Sequence, residues 1–524
     1  MKKWFCGVLL LAVMILTGCG GPVAPQDTLI YGRGGDADGL DPIHTDVGET
    51  VKVLVNLYDT LVTYHDRTLE IVPALATHWE TSADGRTWTF HLRPGVTFHD
   101  GTPFNAEAVK YSFERLLQPD HPDVYSEVVP FRPTFDEIDR IEIVDPLTIV
   151  FHLKRTDAVF LENLCMYAAM IVSPTAVKKH GPDFTSNPIG TGPFQFVNWE
   201  RDEQLVLEAF DDHWRGAPKV SRVVFVPTSE SAVRAMQLER GEIHIADNLP
   251  PATLDALAEL PQIEIQEQQA INVGYLTMQT QQPPLDNPKL RRAIGHAIDK
   301  AQLVRDYFGG YATPATNMMP PSLWGYNDEI EDRAFDLDKA RELMQQAQAE
   351  SGFDLPLELT LFVMDRPRPY MQLPRETAVF IKDQLKQIDI DVRIVQSEIN
   401  EHFRRLSNGE HDLGLAGWLS DNNDPDNFLY VLLNSDNIRT GGTNHSRYRN
   451  AEVDRLTEAA KQVLDRGRRE AMYRRVQEIV FADTPTVPLV HTTIRIAHRK
   501  EVQGYYLHPG TLVRLRNAYF VESE

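Results

Sequence analysis

The sequence predicts a mixed α/β protein of more than one lobe, on three observations. At 524 residues the chain is longer than one hydrophobic core supports, since cores stop growing at roughly 250–300 residues. Its 42% hydrophobic and 24% charged content is that of an ordinary globular chain. From about residue 229 onward, short β-branched runs alternate with segments of helical period. That alternation argues for mixed sheets covered by helices, with ligands favoured at strand ends.

Taken in order, the first 18 residues read as a signal peptide. Lys2 and Lys3 form a basic start, and Trp4–Leu16 is an apolar run too short for an ordinary spanning helix. Leu16-Thr17-Gly18-Cys19 resembles the bacterial lipobox, in which the cysteine is lipidated and becomes the mature N-terminus. Residues 19–27 then form a lipidated tether that holds a soluble body at a membrane surface. Loss of Lys2 and Lys3 takes the formal charge from −23 to −25. Nucleic acid and anionic lipid are therefore poor partners for the body of the protein. Of the three cysteines, Cys6 leaves with the signal and Cys19 carries lipid, so Cys165 alone remains and no internal disulfide is expected.

Thr28–Tyr31 reads as a strand, and Gly32–Ala37 superficially matches a glycine-rich nucleotide fingerprint. Asp38-Gly39-Leu40-Asp41-Pro42 breaks the helix that should receive the phosphate, which favours a turn lining a cleft. Residues 50–64 read as an amphipathic helix running into a short strand. Trp79–Phe98 reads as a hairpin turning at Ala83-Asp84-Gly85, and Ile138–Leu153 as another turning at Asp145-Pro146. Between them Asn105-Ala106-Glu107 starts a helix. Beyond the turn cluster Pro188–Pro193, Phe194–Val197 is a strand. Ser229–Gly241 is helical and Glu242–Asp247 a strand. Ile271–Thr277 is a strand and Pro288–Tyr307 one helix. Ala334–Ser351, Pro374–Ile388 and Ile399–Asn408 are helices, interleaved with strands Leu357–Met364, Val392–Gln396 and Asp412–Trp418. Helices near 451–464 and 467–483 lead into the strand Val487–Thr492.

The stretch Leu415–Phe428 (LAGWLSDNNDPDNF) begins as an apolar strand and breaks into a cluster of Asp, Asn and Pro. It leaves Asp421 at a strand mouth, three residues after Trp418. Such a cluster is also what a solvated turn looks like. Asp421, Asp424 and Asp426 invite a calcium reading, but Pro425 and the missing loop glycine contradict an EF-hand. No HExxH, GxSxG or P-loop motif is present, which leaves an enzyme without a chemical core. Neither a cofactor nor a metal is expected.

Several motifs carry a family resemblance: Trp79–Gly85 through Phe90–Val96, Asn187–Phe194, Asn272–Leu276, Pro321–Asp328 and Asp421–Phe428. On these the chain resembles the family 5 solute-binding proteins of bacterial ABC importers, most of all their dipeptide-binding members. The resemblance implies a two-lobed periplasmic-binding-protein-like type II fold with mixed sheets and an inserted subdomain. Lobe I would be 28–273 with the insert at about 60–170, lobe II 274–489, and 490–524 would return to lobe I. Strands near Ala270–Tyr275 and Leu489–Thr493 would cross between lobes.

It also implies a site. Asp421 would hold a peptide ammonium and Arg368, preceding Pro-Tyr, its carboxylate. Tyr370 and Trp418 would contact the ligand, and Gly417–Leu419 would pair with its backbone. A planar guanidinium takes a carboxylate through two parallel hydrogen bonds, so the residue types suit the task. Arg366 is a second candidate for the carboxylate, and Leu419-Ser420 replaces smaller residues of the dipeptide binders. The expected partners are a small peptide, an ABC permease of the inner membrane and a membrane reached only through the lipid, with the protein itself a monomer. The same scaffold could instead take haem, glutathione, a nickel chelate or a cationic antimicrobial peptide.

Overall fold

The computed structural model describes residues 27–521; the signal-like segment, Cys19 and the tether up to residue 26 lie outside them. Its backbone is organised by one long strand, Thr486–Arg499, buried along most of its length. The first part of that strand pairs antiparallel with Asn272–Met278, and the later part with Ile263–Gln269 and Ile245–Ala246. It therefore sits in the middle of a twelve-stranded sheet. On one side the order runs outward through Asn272–Met278, Leu413–Leu419, Leu357–Met364 and Ile390–Ser397. On the other it runs through Ile245–Ala246, Thr28–Arg33, Arg222–Pro227, Gln204–Ala209 and Phe194–Glu200.

Separate apolar cores lie on the two sides. Leu276, Ile294, Leu361, Ile381 and Leu415 belong to one, and Leu29, Leu54, Phe194, Leu207 and Phe225 to another. A further core fills a four-stranded antiparallel sheet of Ala76–Thr81, Thr87–Leu92, Thr148–Leu153 and Ile138–Asp145. Trp88, Phe90 and Leu92 alternate inward on one strand and meet Ile149 and Phe151 on its neighbour. Helix Ala106–Leu117 covers that face with Val109, Phe113 and Leu116, and Asn105 caps it by accepting from the Ala108 amide. Gly85, at φ 67°, makes the hairpin turn that the Asp-Gly pair requires.

Several expectations are corrected. The single helix over Pro288–Tyr307 is two, Pro288–Ala297 and Lys300–Tyr307. Asp299 breaks it by accepting from the Gln302 amide at 2.9 Å, acting as the cap of the second piece. The strand over Glu242–Asp247 shrinks to Ile245–Ala246, and the one over Val487–Thr492 lengthens to fourteen residues. Past the Asx cluster the chain winds into the helix Asp426–Leu433, which the sequence reading leaves unassigned. Successive side-chain turns lead into it: Asn422 accepts from the Asp424 amide at 3.1 Å and Asp424 from the Asp426 amide at 2.9 Å.

Candidate functional site

The strand Leu413–Leu419 runs antiparallel to Asn272–Met278, with Gly417 opposite Gly274. Both glycines are explained by Tyr370. A Cβ on Gly417 would lie 2.1 Å from the Tyr370 ring, and one on Gly274 would lie 2.5 Å from its carbonyl oxygen. The tyrosine, 3% exposed, is thus inlaid against two strands that lack side chains there. Its loop is tied down by reciprocal backbone bonds between Arg368 and Met371 at 3.0 and 2.8 Å. The Thr492 hydroxyl adds a hydrogen bond to the Pro369 carbonyl at 3.0 Å, fastening the loop to the long central strand.

This leaves Arg368 exposed, its guanidinium 5.9 Å from the centre of the Tyr370 ring. No carboxylate of the described residues pairs with it. Arg366 differs, since Asp365 and Glu398 each lie 3.4 Å from its guanidinium.

Asp421 follows the other end of the same strand and is half-buried. Its backbone amide donates to Asn427 Oδ1 at 3.1 Å, and the Trp418 indole donates to the same oxygen at 2.7 Å. Asn427 therefore fixes the tryptophan and the aspartate together. Burial pushes the Asp421 carboxyl up to about 6, and the nearby charge of Asp46 adds to the rise, while a hydrogen bond from Asn427 opposes it. Among the described residues no cation is paired with it. The neighbouring aspartate has a different fate: Asp424 accepts from Arg469 at 2.7 Å and is locked in a buried ion pair.

The structure does not join Asp421 to Arg368. Both lie close in sequence to the Tyr370–Gly417 contact, Arg368 two residues before the inlaid tyrosine and Asp421 four residues after the glycine that receives it. Trp418 and Leu419 are half-buried between them in sequence. Sequence reasoning missed Asn427 as an organiser, although it lies in the quoted stretch, and it missed Asp46 and Tyr167. The Tyr167 hydroxyl is held in its neutral form by burial first and then by the charge of Asp421. No local pattern marks either residue.

Segments from the far side close over this region. Asn422 Nδ2 donates to Asn163 Oδ1 at 2.8 Å, the Asn423 amide to the Tyr64 hydroxyl at 3.2 Å, and that hydroxyl to Glu162 at 2.7 Å. A cavity of about 470 Å³ opens beside Asn423, bounded by Glu70, Glu162, Trp324 and Arg466 among others. Neither Asp421 nor Arg368 lines it.

A mixed sheet continuous across two cores, with charged groups left unpaired at strand ends, is the build of a periplasmic-type binding protein. The comparison with solved structures agrees. The Helicobacter pylori ABC transporter-associated periplasmic binding protein DppA, in complex with the peptide STSA, matches with a TM-score of 0.82 at 34% identity, over 94% of this chain and 98% of that one. More narrowly, the chain belongs to the bacterial extracellular solute-binding proteins, family 5, whose model matches residues 70–440. It is 33% identical over 522 residues to the dipeptide-binding protein of Escherichia coli (strain K12), covering 96% of each chain. It is 34% identical over 469 residues to heme-binding protein A of Haemophilus influenzae (strain ATCC 51907 / DSM 11121 / KW20 / Rd), covering 86% of this chain and 85% of that one. This is a family of solute-binding proteins that work outside the cytoplasm, and among the described residues no helix is long and apolar enough to cross a membrane.

Proposed function

We propose that this protein captures short peptides with free termini outside the cytoplasmic membrane and delivers them to an ABC-type importer. Asp421 holds the ammonium, Arg368 the carboxylate, and Gly417–Leu419 the peptide backbone, with Tyr370 and Trp418 as walls. The observation that carries the reading is Asp421 itself, a carboxylate pushed up to about 6 by burial and paired with no cation among the described residues. A ligand that brings a cation relieves that situation. The relatives support a peptide as that ligand, one being called a dipeptide-binding protein and another being solved with the peptide STSA. A relative called a heme-binding protein supplies the competing ligand, but haem has no ammonium to set against Asp421.

Two fixed charges also measure length. Each added residue lengthens an extended peptide by roughly 3.3–3.6 Å, more than a hydrogen bond tolerates. Dipeptides, after the dipeptide-binding relative, are the expected optimum. The protein would enclose them by closing two lobes, 28–273 with 490–524 against 274–489, the insert at about 60–170 moving with the first. The separate apolar cores support that division. Cys19 would carry the lipid that keeps a monomeric receptor near its permease.

The test is calorimetry with a dipeptide, its N-acetylated form, its C-amidated form, and the corresponding tri- and tetrapeptides. Tight binding of the free dipeptide and loss on blocking either end is the expected result. Equal affinity for the free and N-acetylated forms would remove Asp421 from its role and bring haem forward.

A further inference from the structure

The outer face of the four-stranded sheet carries a group that the peptide site does not use. On strands Ala76–Thr81 and Thr87–Leu92, His78 stands directly opposite His91, and Glu80 lies two residues along from His78 on the same face. The two imidazole rings are stacked, with centroids 4.2 Å apart and planes within 9° of parallel. One ligating atom from each of the three side chains lies within 4.8 Å of the others. His78 and Glu80 are exposed and His91 is half-buried, with its strand neighbours Phe90 and Leu92 turned into the core beneath.

We propose that His78, His91 and Glu80 form a surface site for a borderline-soft divalent transition metal, zinc being the simplest case. Two imidazoles and one carboxylate suit Zn²⁺, Ni²⁺ or Cu²⁺ and are a poor set for Ca²⁺ or Mg²⁺, which prefer all-oxygen shells.

Local structure favours it in two ways. The register shifts between Ala76 and His78, so Thr77 is bulged out, and this irregularity brings the two histidines into opposition. The bulged Thr77 also sets a tautomer. Its hydroxyl donates its single proton to the His91 carbonyl at 3.1 Å, so towards His78 Nδ1, 3.0 Å away, it can only accept. With that arrangement His78 Nδ1 carries the hydrogen, which leaves Nε2 with the free lone pair that a metal needs. The remaining adjustment is small. Ligand atoms about 2.1 Å from one tetrahedral metal lie about 3.4 Å apart, so exposed side chains at most 4.8 Å apart need only modest rotation.

The experiment is titration of the full chain, without a polyhistidine tag, with zinc sulfate. Calorimetry gives stoichiometry, Co²⁺ absorption gives the coordination geometry, and melting with and without zinc gives a third readout. One strong equivalent is expected, with tetrahedral Co²⁺ bands and a zinc-dependent rise in melting temperature, and none of these with Ca²⁺. Since even partners outside the coordination sphere are worth about 10- to 100-fold in metal affinity, His78→Ala and His91→Ala should each weaken binding by more than about tenfold. The zinc-free melting temperature should be unchanged in both variants, which establishes that they are folded whatever the fate of the peptide reading. His152→Ala, on the same sheet beside Glu142, should leave zinc binding intact. Absence of a strong equivalent in the unaltered chain would overturn the proposal. So would zinc binding that survives loss of both histidines or that follows His152.

Discussion

Replacing Asp421 by Asn should move stability and binding in opposite directions. The carboxyl is raised from its ordinary 3.8 to about 6, and each unit is worth about 1.4 kcal/mol. A folded-state value above the unfolded one means that the fold disfavours the ionised form. The resulting penalty is fully present above about pH 6, diminishes as pH falls through 6, and is gone below about 4. Its upper bound at neutral pH is ~3 kcal/mol. Asn keeps an oxygen that can accept from Asn427 but carries no charge, so Asp421→Asn should be more stable than the parent at pH 7.5 and equal to it near pH 4. Binding should go the other way. Breaking a buried pair costs roughly 3–5 kcal/mol, on the order of 100- to several-thousand-fold in affinity. The variant should therefore bind a free dipeptide as poorly as the parent binds the N-acetylated one. The parent's own affinity should fall about tenfold for each pH unit below about 6, because the carboxyl must then lose a proton to receive the ammonium. Melting curves at the two pH values and calorimetry across pH 4.5–8 measure all of this. An Asn variant that binds the free dipeptide like the parent, or that is no more stable at pH 7.5, would refute the reasoning.

The other expectations are more compact. Arg368→Gln should reproduce the defect of a C-amidated ligand, while Arg366→Gln should not, because Arg366 already faces Asp365 and Glu398; calorimetry of both variants decides between the two arginines. Gly417→Ala puts a Cβ 2.1 Å from the Tyr370 ring, so overpacking of about 1–3 kcal/mol should appear as a lower melting temperature together with weaker peptide binding. Small-angle scattering should give a smaller radius of gyration with saturating dipeptide, and an unchanged radius with binding confirmed separately would count against lobe closure. Cys19→Ala should release the protein from membranes into the soluble fraction with peptide binding intact, and retention through an alkaline carbonate wash would count against lipidation.

The parts of the fold that could be read in advance are those whose signals are local. Asp84-Gly85 and Asp145-Pro146 placed two hairpin turns because turn chemistry acts within four residues, and Asp145 does accept from the Leu147 amide at 2.8 Å. The hidden elements had signals that only the tertiary structure explains. Ile263–Gln269, reading IEIQEQQ, is polar because it lies at an edge and pairs only with the long central strand. That central strand looked short because its later half, IRIAHR, carries charge that is neutralised from neighbouring elements. Arg495, for instance, meets Glu267 at 2.7 Å and Asp255 at 3.2 Å. Asp299 was invisible as a helix break, since one polar residue fits the exposed stripe of a continuous helix as well as it fits a cap.

The site was legible in the same partial way, and the three aspartates of one turn explain why. Asp421, Asp424 and Asp426 are equivalent in sequence, being short acidic side chains within six positions. Their environments resolve a buried carboxylate in three different ways. Asp424 pairs with Arg469 at 2.7 Å. Asp426 is pushed up to about 7 by burial, with Lys461 opposing, so near neutral pH it answers burial in part by taking a proton. Asp421 does neither in full: at about 6 it is mostly ionised at neutral pH, and among the described residues no cation is paired with it. Which answer each aspartate gives depends on Arg469, Lys461, Asp46 and Asn427, and three of those four lie outside the turn. Asp424 is thereby engaged within the structure, whereas Asp426 keeps one buried oxygen, Oδ1, without a hydrogen-bond partner. Asp421, mostly ionised near neutral pH and with no cation paired to it among the described residues, is the member of the set on which the proposed ammonium contact rests.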